Sequence, residues 1–338
     1  MEPIELRVDV TAAAGLGEHA EVAITIQLPP PELLDSPPVI CFAKPGAGAT
    51  RGYFFGRLPG ADTDSQAEWH AARGWVFVAV DHLGVGGSSV HHDDMLLNFA
   101  VVSAANHAAE RAVAQQLVEG TVAQGYPPLR DPILLGIGHS MGGALAITQQ
   151  GRYHDYQGLA VLGYSAVHSH PIAPPGQEPI VQPWRLRDPS LRDRDVVLNR
   201  TRVDTYLQNA RALEISSKAN QWFFHYDDVD VAAINSDGWR STTYPRGVTA
   251  SALTPGVVAP EAAAVTVPVL VAMGERDTVA DPKGEARAYL SANSVDLFVC
   301  PRMAHMHNFA GTRELMWRRI QHWGAWVHSL AAAQRERK

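Results

Sequence analysis

Cysteine is scarce, with two residues in 338, Cys41 and Cys300. Two thiols exclude a disulfide framework and a zinc site built on CxxC pairs. Charge is thin as well. Charged residues make up 19% of the chain, and 28 Lys and Arg against 35 Asp and Glu leave a formal charge of −7. No long basic run is present, so nucleic-acid binding by phosphate neutralisation is set aside. Long apolar runs are also missing: Trp75 to Val80 is strand-sized and far short of a membrane span. The start, Met1-Glu2-Pro3-Ile4-Glu5, lacks the basic residues and apolar stretch of a secretory signal. A cytoplasmic protein with no nucleic-acid or membrane partner is therefore expected.

Apolar material is abundant: hydrophobic residues reach 46%, including 8 Trp, 9 Tyr and 9 Phe. That is enough for a large buried core and too apolar for a disordered chain. The chain begins with two alternating segments, Ile4 to Val10 and Val22 to Ile26, a period of two that suits an antiparallel pair with one wet face. After the prolines at 29–31 and 37–38, short continuous apolar runs recur: Val39 to Ala43, Val76 to Val80, Ile133 to Ile137, Leu159 to Leu162, Val267 to Met273 and Val295 to Val299. Runs of this kind are expected for parallel strands covered on both faces. Helical stretches separate most of them, at Ala105 to Gly120 and Gly142 to Gln150, with a last one at Thr312 to Ala333. That last helix places Met316, Ile320, Trp323, Val327 and Leu330 on one stripe, which reads as core packing. The alternation predicts a doubly wound α/β fold.

The rhythm stops between about Ala166 and Ala264. It carries six prolines from Pro171 to Pro189 and the rings Trp184, Tyr206, Trp222, Phe223, Phe224, Tyr226, Trp239 and Tyr244. So many rings are not the composition of a flexible linker. The stretch reads as an inserted subdomain over residues 166–261, leaving 1–165 and 262–338 as the core. An Arg-rich part of it, from Trp184-Arg185 to Arg211, has Asp188, Asp193, Asp195 and Asp204 interleaved and reads as a salt-bridged surface.

The sharpest local feature is Gly138-His139-Ser140-Met141-Gly142-Gly143, at the end of one apolar run and the start of a helical one. A nucleophile on a strand-to-helix elbow crowds its neighbours, so glycine is needed on both sides. A serine hydroxyl also needs a base, and the base an orienting carboxylate. Asp277 follows the strand Val269 to Met273, with Glu275 and Asp281 as nearby rivals, Asp281 suiting a helix cap before Pro282. His305 follows the final strand and is the preferred base, with His307 two residues on. His91-His92-Asp93-Asp94 has metal-ligand chemistry, but adjacent histidines do not easily face one ion, so no metal site is assigned.

These segments together resemble the α/β-hydrolase fold superfamily. The elbow matches its G-H-S-M-G-G form, Gly274-Glu275-Arg276-Asp277 its acid turn, and Met303-Ala304-His305 its histidine loop. Asp81-His82-Leu83-Gly84-Val85-Gly86-Gly87-Ser88 is similar to its D-x-x-G-x-G-x-S loop. The resemblance implies a mostly parallel eight-stranded sheet with helices on both faces and an inserted cap. It also implies the triad Ser140, Asp277 and His305, with no metal or organic cofactor. Pro45-Gly46 stands where His-Gly is usual, so the oxyanion donors are read as the N–H groups of Ala47 and Met141. Cys41 and Cys300 fall on strands well separated in such a sheet, as two buried thiols.

Trp184, Trp222, Phe223 and Phe99 are read as walls of an apolar pocket. The expected reaction is hydrolysis of a carboxylic ester or lactone of a fairly hydrophobic small molecule. Cleavage of a β-diketone C–C bond or acyl transfer on the same triad, or a non-catalytic small-molecule receptor, are the alternatives. A homodimer is compatible with this reading.

Overall fold

The computed structural model describes residues 1–57, 65–170, 172–177, 222–229, 238–252 and 254–335. Eight strands are present: β1 (Ile4–Asp9), β2 (Glu21–Gln27), β3 (Val39–Lys44), β4 (Trp75–Val80), β5 (Ile133–His139), β6 (Gly158–Leu162), β7 (Val269–Arg276) and β8 (Val295–Ala304). They form one sheet in the order β1-β2-β4-β3-β5-β6-β7-β8. β1 and β2 pair antiparallel, as do β2 and β4, and every later pairing is parallel.

The continuous apolar runs are explained by the two faces they serve. Along β3 and β4, Ile40, Phe42, Val76, Val78 and Val80 enter one core cluster, while Val39, Cys41, Ala43, Trp75, Phe77 and Ala79 enter the other. The helices divide accordingly. In chain order they are α1 (Thr11–Ala14), α2 (Gly52–Phe55), α3 (Gln66–Ala71), α4 (Phe99–Glu119), α5 (Met141–Tyr153), α6 (Arg246–Ala252), α7 (Ala259–Ala264) and α8 (Arg313–Arg335). α4 and α5 cover the first face; α3 and α8 cover the second.

On α8, Met316, Ile320, Trp323 and Val327 are each at most 1% exposed, and Leu330 is half-buried, so the stripe is core as expected. Each such side chain contributes roughly 1.5–3 kcal/mol by leaving water. α4 starts at Phe99, six residues before the helical reading, because Asn98 caps it: its side chain accepts the Val101 amide at 2.9 Å. Gly120 then ends it in the left-handed region, φ 71.

The antiparallel pair departs from expectation on one strand. β1 alternates between half-buried and exposed, but β2 is buried on both faces. Thr25, on its polar face, is covered by a cross-strand cluster: its hydroxyl donates to Glu5 at 2.6 Å and accepts from Arg51 Nε at 2.7 Å. Polar residues can line a buried face when they satisfy one another in this way. The cysteines are buried and unpaired on β3 and β8. No helix among the described residues is long and apolar enough to cross a membrane.

The sites of interest lie at the carboxyl ends of β3, β5, β7 and β8. Of the inserted stretch, α6 and α7 both pack on α5, and α7 straddles residue 262. Much of the remainder, including Trp184 and the Arg-rich run, lies outside the described residues.

Candidate active site

Ser140 occupies the single residue between β5 and α5, at φ 54 and ψ −125. A non-glycine residue held there stores about 1–3 kcal/mol of backbone strain, so the surroundings must enforce it. They do. A Cβ on Gly138 would strike the Gly142 carbonyl, and one on Gly142 would strike the carbonyl oxygens of Lys44 and Pro45. The two glycines let the helix N-terminus drop onto the end of β3. Ser140 N donates to Leu162 O at 2.8 Å, and the Ser140 carbonyl accepts Gly143 N at 2.7 Å, which fixes the turn.

Facing the hydroxyl, His305 Nε2 lies 3.0 Å from Ser140 Oγ, and His305 Nδ1 lies 2.6 Å from Asp277 Oδ1. The carboxylate sets the tautomer: Nδ1–H donates to Asp277, leaving Nε2 to accept the serine proton. Asp277 is 1% exposed and accepts four donors: His305 Nδ1 and Thr278 N on one oxygen, His307 Nε2 (2.7 Å) and Gly274 N (2.9 Å) on the other. Burial, the largest single influence, pushes its carboxyl up. The two imidazoles with their hydrogen bonds overcome it and hold the group well below the usual carboxylate range. His307 therefore shares the carboxylate through Oδ2, while His305 bonds Oδ1 and Ser140 Oγ. Glu275 instead accepts the Arg302 amide at 2.9 Å, and Asp281 caps the turn Pro282–Ala288 through Gly284 N at 3.1 Å.

Two further histidines hold this arrangement. His139 Nε2–H donates to the His305 carbonyl at 2.7 Å, and its ring stacks on Tyr53 with centroids 4.9 Å apart. Burial keeps it neutral, well below the ordinary histidine value. On the oxyanion side, Ala47 is exposed, and a Cβ on Gly46 would come within 2.9 Å of Ser140 Cβ. The Pro45-Gly46-Ala47 turn thus passes directly against the serine. His82, fully buried at the end of β4, donates Nε2–H to the Pro45 carbonyl at 3.0 Å while its Nδ1 accepts from Asn106 at 3.0 Å. Burial pushes its pKa down to about 4, so it braces the turn as a neutral ring. The histidine absent from the turn itself is replaced by one reaching in from the neighbouring strand. No local pattern marks His82 for that task, since only the β3–β4 pairing brings it there.

The family model described as serine aminopeptidase, S33 matches residues 62–309. The chain belongs to this family, within the α/β-hydrolase superfamily. Among solved structures, it is similar to a loop variant of a haloalkane dehalogenase from Bradyrhizobium elkanii, with 13% identity, 99% of this chain and 100% of that one covered, and a TM-score of 0.61. It is similar also to a malate-bound thermophilic esterase from Thermogutta terrifontis, at 15% identity, 96% and 99% coverage and a TM-score of 0.56. A third is E-2-(acetamidomethylene)succinate hydrolase, at 16% identity, 95% and 98% coverage and a TM-score of 0.55. At these identities the likeness is one of fold. A comparison with curated protein sequences returns no match.

In this hydrolase the residues read as pocket walls separate. Phe223 is 4% exposed and stacks on His305 itself, with centroids 4.9 Å apart. Trp222 lies under the Arg276 guanidinium, 4.6 Å from its ring. Phe99 packs into the core cluster with Leu97 and Val248. Trp184 lies outside the described residues. His91 and His92 do converge, on Glu18: His91 Nε2 is 3.3 Å from one carboxylate oxygen and His92 Nδ1 3.8 Å from the other. That brings three ligand-type atoms within 4.8 Å of one another, with His91 buried and Glu18 and His92 exposed.

Proposed function

We propose that this hydrolase cleaves a carboxylic ester or lactone of a fairly hydrophobic small molecule through an acyl-enzyme on Ser140. The observation that carries the reading is the continuous relay from Ser140 Oγ to His305 Nε2 and from His305 Nδ1 to Asp277. As Ser140 Oγ attacks the carbonyl carbon, His305 takes its proton. Asp277, four-fold hydrogen-bonded and strongly acidic, stays ionised and steadies the imidazolium. The N–H groups of Ala47 and Met141 receive the developing oxyanion, a contribution of about 3 kcal/mol per donor in comparable sites. The imidazolium then gives its proton to the departing alkoxide. Water, deprotonated by His305, attacks the acyl carbon and releases the acid. A serine at the elbow disfavours the carbon–halogen displacement named for one neighbour, because that substitution calls for a carboxylate nucleophile.

In this scheme residues 1–165 and 262–338 supply the core and 166–261 the cap, whose rings favour an apolar substrate. No metal or organic cofactor enters the steps. The test is a panel of acyl esters, lactones and β-diketones assayed with the wild type and Ser140→Ala, alongside trapping of Ser140 by a fluorophosphonate. Ester or lactone turnover that vanishes in Ser140→Ala supports the reading. Turnover unchanged in that variant refutes it, and turnover confined to β-diketones moves the assignment to C–C hydrolysis.

A further inference from the structure

Trp222, Phe223 and Phe224 make one helical turn in the inserted stretch, and that turn lies on the loop that carries His305. The Phe223 carbonyl accepts the His305 amide at 3.0 Å, and the Phe224 carbonyl accepts the Met306 amide at 3.0 Å. The Phe223 ring is nearly parallel to the imidazole, at 20°, and Phe224 meets the same imidazole edge-on at 5.9 Å. One face of the base is thereby covered by an aromatic ring from outside the α/β core. A wall for substrate would not need main-chain bonds to the base's own loop.

The turn is also clamped. Arg276 lies 3.9 Å from the Tyr226 ring and 4.6 Å from the Trp222 ring, and its guanidinium pairs with Asp227 at 3.3 Å. Arg302 pairs with Asp228 at 3.4 Å, and Tyr226 Oη donates to Glu275 at 3.5 Å. Glu275 and Arg276 immediately precede Asp277. Glu275 and Arg276 therefore sit on the same short segment as the carboxylate that holds His305, and Arg302 lies three residues before His305.

We infer that the Trp222–Tyr226 turn belongs to the catalytic apparatus: Phe223 is a positioning residue that aligns His305 with Ser140, and Arg276 is the clamp that seats it. The inference rests on the serine-hydrolase reading. An imidazole that passes a proton from serine to leaving group must keep its ring plane while its charge changes. A parallel ring limits tilting, keeps water off that face, and presents its negative π-cloud to the imidazolium. The titratable groups facing His305 are Asp277 from the β7 turn, His139 from β5, His307 from its own loop and His225 from the inserted turn. Burial first, with the nearby Arg240 and His305 adding to it, pushes His225 down to about 4. His139 is likewise held neutral. Neither adds a competing charge, so the ring face acts on the imidazolium directly.

The experiment uses the full chain with p-nitrophenyl acetate as probe, in Phe223→Leu, Phe223→Tyr and Arg276→Lys. Losing the ring face should lower kcat by about fivefold to tenfold, with KM within about twofold, in Phe223→Leu. Because the imidazolium loses a stabilising partner, the acid limb of kcat/KM should move to lower pH by about half a unit. Phe223→Tyr should restore both. Arg276→Lys keeps the charge but cannot stack on two rings, so it should shift kcat in the same direction by a smaller factor. Circular dichroism melting checks that each variant is folded. A Phe223→Leu enzyme with unaltered kcat and acid limb overturns the inference, as does a change in KM alone or an equal loss in Phe223→Tyr. Failure of the wild type to label with fluorophosphonate would sink the hydrolase reading and this inference together; labelling combined with an unperturbed Phe223→Leu would sink only this inference.

Discussion

Two histidines bind one carboxylate in this site, and the proposed reaction uses them differently. His305 spans Asp277 and Ser140, whereas His307 ends on the far oxygen of Asp277. In the proposed chemistry Ser140→Ala and His305→Ala should each lower kcat by ~10³-fold or more, and His305→Ala should also abolish fluorophosphonate trapping. His307→Ala removes one of four donors to Asp277, so trapping should persist within about tenfold of the wild-type rate. Equal loss of trapping in the two histidine variants would contradict this division of roles. Both histidines are visible in the sequence, but they sit two residues apart in one loop. Which ring reaches the serine depends on how the single turn His307–Phe309 orients them, and that turn is held by Asn308, whose amide donates to the Tyr53 hydroxyl at 3.1 Å.

At the level of elements, the end of β3 and the start of α5 must touch for the elbow and the oxyanion turn to meet. Gly142→Ala places a methyl group on the Lys44 and Pro45 carbonyls and should separate them. The expected outcome is a large loss of turnover with a destabilisation of roughly 1–3 kcal/mol, measured by hydrolysis rate and urea unfolding. Just behind this contact, the buried Lys44 ammonium donates to Glu110 on α4 and to the Tyr156 hydroxyl at 2.6 Å, and Tyr156 in turn donates to Glu110 at 2.5 Å. Breaking one side of a buried pair leaves an uncompensated charge. Lys44→Met alone should therefore cost about 3–5 kcal/mol, while Lys44→Met with Glu110→Leu should recover much of it. A double variant no more stable than the single one would count against this account. Neither the pair nor its hydroxyl partner has a sequence signature, because Lys44, Glu110 and Tyr156 are brought together by three separate elements.

Over the whole molecule, several histidines are stored neutral in the interior. Burial pushes His70 and His82 from 6.5 to about 4. The native state then resists protons that the unfolded chain accepts below pH 6.5. Their contribution is complete above pH 6.5 and is lost as pH falls toward 4, on the order of 3 kcal/mol for each ring. Asp277 acts in the same direction in a lower window, below its ordinary value of 3.8. The melting temperature should accordingly drop between pH 7 and pH 4.5, with a shallower slope in His70→Gln. A melting temperature flat across that range would overturn the argument.

The fold and the serine elbow were legible in the amino acids because both rest on local rules. Continuous apolar runs between helical segments specify parallel strands covered on two faces, and a serine between closely spaced glycines specifies an elbow. Chain order then narrows the carboxylate to Glu275, Asp277 or Asp281 and the histidine to His305 or His307, at the ends of later strands. What only the tertiary structure decided depends on distant pieces meeting. His82 bonds Pro45 from the adjacent strand, β2 buries a polar face through Arg51, and Phe223 stacks on the His305 ring. In each case a polar group or ring gains its partner from tens of residues away, and composition and periodicity carry no record of such pairings.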